Sequence, residues 1–156
     1  MRYRLSIRRN FTGIGLIELL ISFAIAVIGI VGFIYGLVVC FDLARLSKES
    51  LLALHQASLK MEEIREHSFS SVYAYYNNQI FEVSNLPAGT SKGSIKIDNA
   101  NPKLLTAYIS VCWISAGGRL IGEDTNLDGQ LSVSEDLNNN GKIDSPVTLT
   151  SYIARH

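Results

Sequence analysis

The chain has 156 residues, 14 basic side chains against 14 acidic ones, and an apolar fraction of 47%. That length holds one membrane element and one globular domain of about 110 residues, with no room for a second independent core. Outside the first nine positions the sequence has no basic cluster, so no nucleic-acid partner is expected.

Arg2, Arg4, Arg8 and Arg9 precede a long apolar run. From Leu19 to Val39 there are 21 residues without a charge. At ~1.5 Å per residue a helix of that length spans about 30 Å, one bilayer crossing. The basic start predicts a cytoplasmic N-terminus and export of everything after Val39. Without those four arginines, ten basic residues face 14 acidic ones, a net charge of −4.

A secretory signal carries a short apolar core followed by a small residue at the cut site. Here the order is reversed, because Gly13 comes before the run. A single carboxylate, Glu18, stands just inside the apolar segment. A charge in hydrocarbon costs a few kcal/mol or more, so Glu18 needs a partner.

Gly13, then Glu18 five residues later within the words LIELLI, then the unbroken run: this order resembles the type IV prepilin and pseudopilin family. The resemblance implies a leader over residues 1–13, cut after Gly13 by a prepilin peptidase. It implies a new N-terminus at Ile14, open to N-methylation, and a transmembrane assembly helix over 14–40. Glu18 would meet the terminal ammonium of a neighbouring subunit, each charge offsetting the other's desolvation. Two positions depart from the family. Ile14 and Gly15 stand where Phe, often followed by Thr, usually opens the mature chain. Tyr35 holds the place of a helix-kinking Pro, which implies a straighter helix.

Gly29, Gly32 and Gly36 punctuate the run. Gly32 with Gly36 forms one G-x-x-x-G, which permits close helix contact and equally well only local flexibility. Cys40 and Cys112 would lie in an oxidising compartment. Cys40 sits at the membrane end and Cys112 in a later strand-like segment, and bonded Cα atoms lie within ~7 Å, so the two read as separate small apolar residues.

Beyond Cys40 an apolar periodicity continues through Leu43, Leu46, Leu54, Ala57, Met61 and Ile64. Steps of three and four predict one helical stripe running to about Glu66. Pro is missing through residue 86, which predicts one helix of about 50 residues. The words HQASLKMEEIREHSF, residues 55–69, also resemble the minor pseudopilin branch of that family.

The period then shortens to two. LTAYISVCWIS (105–115) puts Ala107, Ile109, Val111 and Trp113 on one face and Tyr108, Ser110 and Cys112 on the other, a half-buried strand. SPVTLTSYIA does the same with Val147, Leu149 and Ile153; Ile80 to Val83 and Ser94 to Ile97 are shorter candidates. A helix stripe and a one-sided sheet cover each other in an α+β layer. The expected fold is a long N-terminal helix packed on a small antiparallel sheet, which agrees with the pilin-like fold that the resemblance implies, with an exported globular domain over 41–156.

Between the last two strands lies GEDTNLDGQLSVSEDLNNNGKIDSP (122–146), where six acidic residues fall between 123 and 144 against Lys142. Taking Asp124 as the first position, Asn126, Asp128, Gln130, Ser132 and Glu135 stand at 3, 5, 7, 9 and 12, with Gly129 at 6. This is the spacing of an EF-hand calcium loop. A second copy starts twelve residues later with Asp136, Asn138, Asn140, Gly141, Lys142 and Asp144, but Val147 occupies its twelfth place. The flanks are strand-like and Pro146 follows, so the expectation is an EF-hand-like or dockerin-like calcium loop inserted in a β-region. Calcium would there play a structural role.

No catalytic arrangement emerges from His55, His67 and His156, which lack metal-ligand spacing, and no nucleophile elbow or phosphate-binding glycine loop occurs. No enzyme is expected, and the resemblance implies a structural subunit, a minor pilin or pseudopilin, of a type IV pilus or a type II secretion pseudopilus in a bacterial inner membrane. Other pilin-class subunits and the peptidase would be its partners. The alternative is an uncleaved, signal-anchored calcium-binding protein of the periplasm or cell surface.

Overall fold

The computed structural model describes residues 15–86 and 89–155. The chain divides into two compact units that meet between Phe41 and Asp42.

Helix α1 (Leu16–Glu66, 51 residues) contributes to both. In the first unit its side chains are exposed on every face, Leu16, Phe23, Ile28 and Tyr35 among them. A helix satisfies its own backbone hydrogen bonds, so a Pro-free apolar run is stable as a helix in hydrocarbon, where a strand would not be. The stretch is long and apolar enough to cross a membrane, with a mean hydropathy of 2.7 in its best window.

In the second unit α1 covers a five-stranded antiparallel sheet: β1 (Ile80–Phe81), β2 (Ser91–Asn101), β3 (Leu104–Ile114), β4 (Leu120–Ile121) and β5 (Val147–Ala154). The order is β1-β2-β3-β4, and β5 pairs with β3 on the side where β4 also attaches. The layout is α+β, a long helix over a small antiparallel sheet, consistent with a pilin-like arrangement. Ala53, Ala57, Met61 and Ile64 of α1 pack on Ile95, Ile97, Leu105, Ala107, Ile109, Val111 and Trp113 of the sheet. Ala53, Ala57 and Ile64 are fully buried in this contact and Met61 nearly so.

The buried stripe differs from the sequence reading at two places. Leu43 and Leu54 are exposed, while Ala53 is buried. Apolarity marks several faces of this helix, and only the position of the sheet selects one. Next comes α2 (Phe69–Tyr76), an element the sequence reading did not include. Its signal is short: Val72 and Tyr76, four apart, are its buried residues. The Tyr76 hydroxyl donates to Glu63 Oε1 at 3.1 Å, tying α2 to α1.

β2 extends well past the four residues predicted for it. Pairing with β3 from Ser91↔Trp113 to Asn101↔Leu104 holds a polar, Gly-containing segment in extended form that its own pattern does not specify. Pro102 and Lys103 make the two-residue connection, where the Lys103 N–H donates to Asn101 Oδ1 at 2.9 Å. β3 is buried on both faces toward its end: Ser110 and Cys112 are enclosed like Val111 and Trp113. The half-buried expectation fails there because the 122–146 segment folds over the outer face, with Ser145 Oγ donating to the Val111 carbonyl.

Candidate functional site

Two places in the chain concentrate chemistry, one in each unit. In the first unit, Glu18 lies in the opening turn of α1, its N–H donating to the Gly15 carbonyl at 3.0 Å. A carboxylate in that turn is favoured by the helix dipole. Its neighbours Ile17, Leu19 and Leu20 are exposed and apolar. Gly13 and Ile14 lie outside the described residues.

In the second unit, residues 122–146 form two successive turns with one backbone plan. Asp124 opens the first, its Oδ1 accepting the N–H of Asp128 at 3.2 Å and its Oδ2 that of Gly129 at 2.8 Å. Asp136 opens the second, its Oδ1 accepting from Asn140 at 2.8 Å and its Oδ2 from Gly141 at 2.9 Å. Asn126 Oδ1 accepts from Asp128 as Asn138 Oδ1 accepts from Asn140. Asp128 Oδ1 accepts the Gln130 N–H as Asn140 Oδ1 accepts the Lys142 N–H. Leu127 and Asn139 (φ 55 each), and Gly129 and Gly141 (φ 76 and 74), are left-handed at matching places. These main-chain bonds of the first turn thus recur twelve residues later, while the Asn126 side-chain amide donates to Asp128 and that of Asn138 to Asp144.

The turns differ at their ends. Glu135 closes the first from within: its Oε1 accepts the Thr125 N–H and hydroxyl at 2.9 and 2.8 Å, and its Oε2 accepts the Ser132 hydroxyl at 2.7 Å. The Ser132 N–H also donates to Oε2, at 3.2 Å, so both donors of Ser132 converge on one carboxylate oxygen, while the Glu135 N–H donates to the Ser132 carbonyl at 3.1 Å. The second turn runs into the sheet, where its twelfth residue, Val147, is buried in β5. No carboxylate can stand there without leaving the core. Asp144, three residues earlier, accepts instead from the side-chain amides of Asn138 and Asn140 at 2.6 and 2.8 Å.

Two residues outside the predicted set complete the arrangement. Thr125 supplies two donors to Glu135, as above. Glu123 brackets the pair of turns: its N–H donates to the Asp144 carbonyl at 2.9 Å, and its Oε2 accepts the Asp144 N–H at 3.1 Å. Thr125 falls between ligand positions of the motif and Glu123 before it, so the spacing rule passes over both.

Asp124 and Glu135 are 1% and 2% exposed. Burial pushes the Asp124 carboxyl up; N–H donation from Gly129 and Asp128 opposes this, and the charges of Glu135 and Asp128 add to it. Hydrogen bonds from Ser132 and Thr125 hold Glu135 down at about 2, so it remains ionised. Among the described residues the salt bridges are Lys60–Glu63, Arg65–Glu62 and Lys92–Glu82. The buried carboxylates are therefore met by neutral donors, and their charge is not cancelled by a cationic side chain. No three His, Cys, Asp or Glu side chains among the described residues converge into a metal-holding cluster. The oxygen donors that could hold a hard cation in the first turn are Asp124, Asn126, Asp128, Ser132, Glu135 and the Gln130 carbonyl.

The double turn lies against the outer face of the sheet. Gly129 approaches Ile80, Lys142 Nζ stands 3.5 Å from the centre of the Tyr108 ring, and Ile143 is buried. Cys112 is covered in the same way, its thiol next to the Asp144 carbonyl, and burial pushes it up to about 11. Both cysteines are free thiols, Cys40 exposed and Cys112 buried. Comparison with protein-family models, curated proteins and solved structures returned no match for this chain.

Proposed function

We propose that this chain is a structural subunit of the pilin class, a minor pilin or pseudopilin of a type IV pilus or a type II secretion pseudopilus. A prepilin peptidase cuts it after Gly13. Before assembly it spans a bacterial inner membrane with its N-terminus in the cytoplasm and its second unit exported.

The observation that supports this reading is the surface of α1 around Glu18. Apolar side chains are exposed on every face of the Leu16–Phe41 stretch, which carries that one carboxylate. Such a helix needs lipid or other helices around it. A carboxylate in those surroundings is tolerated when an opposite charge meets it. The amine freed at Ile14 of a neighbouring subunit supplies that charge, and the pairing sets the register of assembly.

In the same reading calcium belongs to the first turn, where it would neutralise Asp124, Asp128 and Glu135 and hold a long insertion in place. The role is structural, and the second turn is the weaker site because it lacks a twelfth carboxylate.

Intact-mass measurement on the membrane form tests the processing step. A mass lacking residues 1–13, with or without one methyl group, is expected; a full-length chain would mean an uncleaved anchored protein. Glu18→Gln should remove the subunit from isolated filaments while its level in the membrane stays the same. Unchanged incorporation would overturn the assembly role.

A further inference from the structure

The two long edges of the sheet are built differently. On the β2 side the outward donors are taken in turn: Ile95 N–H by the Gln79 carbonyl at 2.9 Å and Ile97 N–H by Asn77 Oδ1 at 3.1 Å. β1 pairs with Gly93 and Ser94, Lys92 and Lys96 add charge, and the ladder shifts register between Asp98 and Asn101. These are the devices that keep an edge from pairing with another chain.

β5 has none of them. It reads VTLTSYIA, without a charge or a Pro, and pairs with β3 over eight consecutive residues without a shift. The Arg155 N–H donates to the Lys103 carbonyl, which fixes the alternation of the ladder. Val147, Leu149, Ser151 and Ile153 exchange bonds with β3, and the N–H and C=O groups of Thr148, Thr150, Tyr152 and Ala154 point away from it. Among the described residues no strand pairs with that side, and those four residues are exposed.

A second observation lies beside the edge. Where β5 begins, a groove of about 570 Å³ between α1 and β5 is lined by Leu46, Leu51, Leu54, Pro146 and Val147. Where β5 ends, a cleft of about 440 Å³ is lined by Arg65, His67, Phe69, Tyr152 and Ile153. Arg155 follows directly and has no ion pair among the described residues, while Arg65 is shared between Glu62 and Ser151. Leu149 and Ile153 face the core yet stay half-buried, because nothing covers them on the open side.

We infer that the β5 edge takes up an extended segment of another protein as an added antiparallel strand. Apolar residues at alternate positions of that segment fill the groove, and an acidic residue at its N-terminal end meets Arg65 and Arg155. Main-chain bonds give such a strand its affinity and the flanking pockets give it selectivity. Antiparallel addition continues the pattern of every ladder in the sheet. A second copy of this chain fits less well, because β5 carries no carboxylate and the opposite edge is closed. The inference goes beyond the assembly reading and does not depend on Glu18.

The test uses the full chain in detergent micelles and a fluorescent, end-blocked peptide of sequence DEVTVTVT. Saturable binding by anisotropy is expected, with slowed amide exchange at Thr148, Thr150 and Tyr152. Replacing both acids of the peptide by lysine should weaken binding at least tenfold. Thr150→Pro should do the same, because the N–H it removes faces away from β3 and Pro is tolerated there; Thr150→Val should bind as the wild type. The proposal is overturned by a lack of saturable binding, by equal binding of the lysine peptide, or by unchanged exchange at the three amides in the peptide-bound wild type. Sedimentation showing that the edge is already closed by a second copy overturns it as well.

Discussion

The carboxylate of Glu49 on α1 accepts the indole N–H of Trp113 on β3 at 3.1 Å through Oε2, and the Ala116 N–H at 3.1 Å through Oε1. One side chain thus bonds to β3 and to the turn after it, and holds helix and sheet in a single register. Trp113 is fully buried and is the chain's one tryptophan. Removing its acceptor leaves a buried donor unpaired, at a cost of about 1–3 kcal/mol. Glu49→Ala should lower the free energy of unfolding by that amount and shift Trp113 emission; Glu49→Gln, which keeps an acceptor, should lower it less.

The choice of buried stripe gives a second test. Ala57 is fully enclosed beneath the sheet, so Ala57→Leu should overpack the contact and cost about 1–3 kcal/mol. Leu54, 40% exposed on another face, should tolerate Ala with a change of about 0.5 kcal/mol or less. Chemical denaturation followed at Trp113 measures both.

Gly129 and Gly141 hold equivalent places in the two turns but have unequal surroundings. Both are left-handed, and an added Cβ at Gly129 would come within 2.6 Å of Ile80 Cγ2, while at Gly141 it would meet open space. Gly141→Ala should cost about 1–2 kcal/mol, the price of the backbone conformation alone. Gly129→Ala should cost clearly more, since Ile80 must also move. Thermal melts of the two variants side by side read the difference.

Calcium in the first turn should raise the melting temperature by mass action, about 2.7 kcal/mol of added stability at a concentration 100 times Kd. Asp124→Ala combined with Glu135→Ala should abolish that rise. Asp144→Asn, in the turn without a twelfth carboxylate, should leave most of it. An unchanged calcium response in the double variant would move the site elsewhere.

Cys112 offers a pH test. Its thiol is raised to about 11 by burial, from an ordinary value near 9. The folded chain therefore keeps its proton where the unfolded chain loses it. That contribution is fully present below about pH 9 and is lost as pH rises through about 11, because there the unfolded state binds fewer protons. In a Cys40→Ser background, thiol reagents at pH 8 should label Cys112 at the rate of unfolding and not sooner.

How much was legible in the sequence varies by element for physical reasons. α1 ends at Glu66 as its periodicity and lack of Pro predicted, because a long helix is written in local spacing. β3 shows its core face plainly, since Ala107, Ile109, Val111 and Trp113 alternate with more polar residues. β2 was seen only in part, because SKGSIKIDNAN has weak strand character of its own and takes its form from β3. α2 escaped because eight residues with two buried positions hardly exceed the background of a loop.

The double turn shows the same division. The Asp, Asn and Gly spacing, read as that of a calcium loop, located the two turns; the N–H groups that each opening Asp accepts lie four and five residues further on. Thr125 and Glu123 depended on how residue 135 folds back and how residue 144 returns, which no short window contains.

The sequence by itself determined the apolar span with its one acid, the long helix, the alternating strands and the repeated turn, because each rests on contacts between residues close along the chain. Only the tertiary structure decided which stripe of α1 is buried, that the turns cover Cys112 and the outer face of the sheet, and that β5 keeps a long edge with which no strand pairs among the described residues. Those outcomes depend on which distant surfaces meet, and burial is set by the partner that arrives as much as by the residue that waits for it.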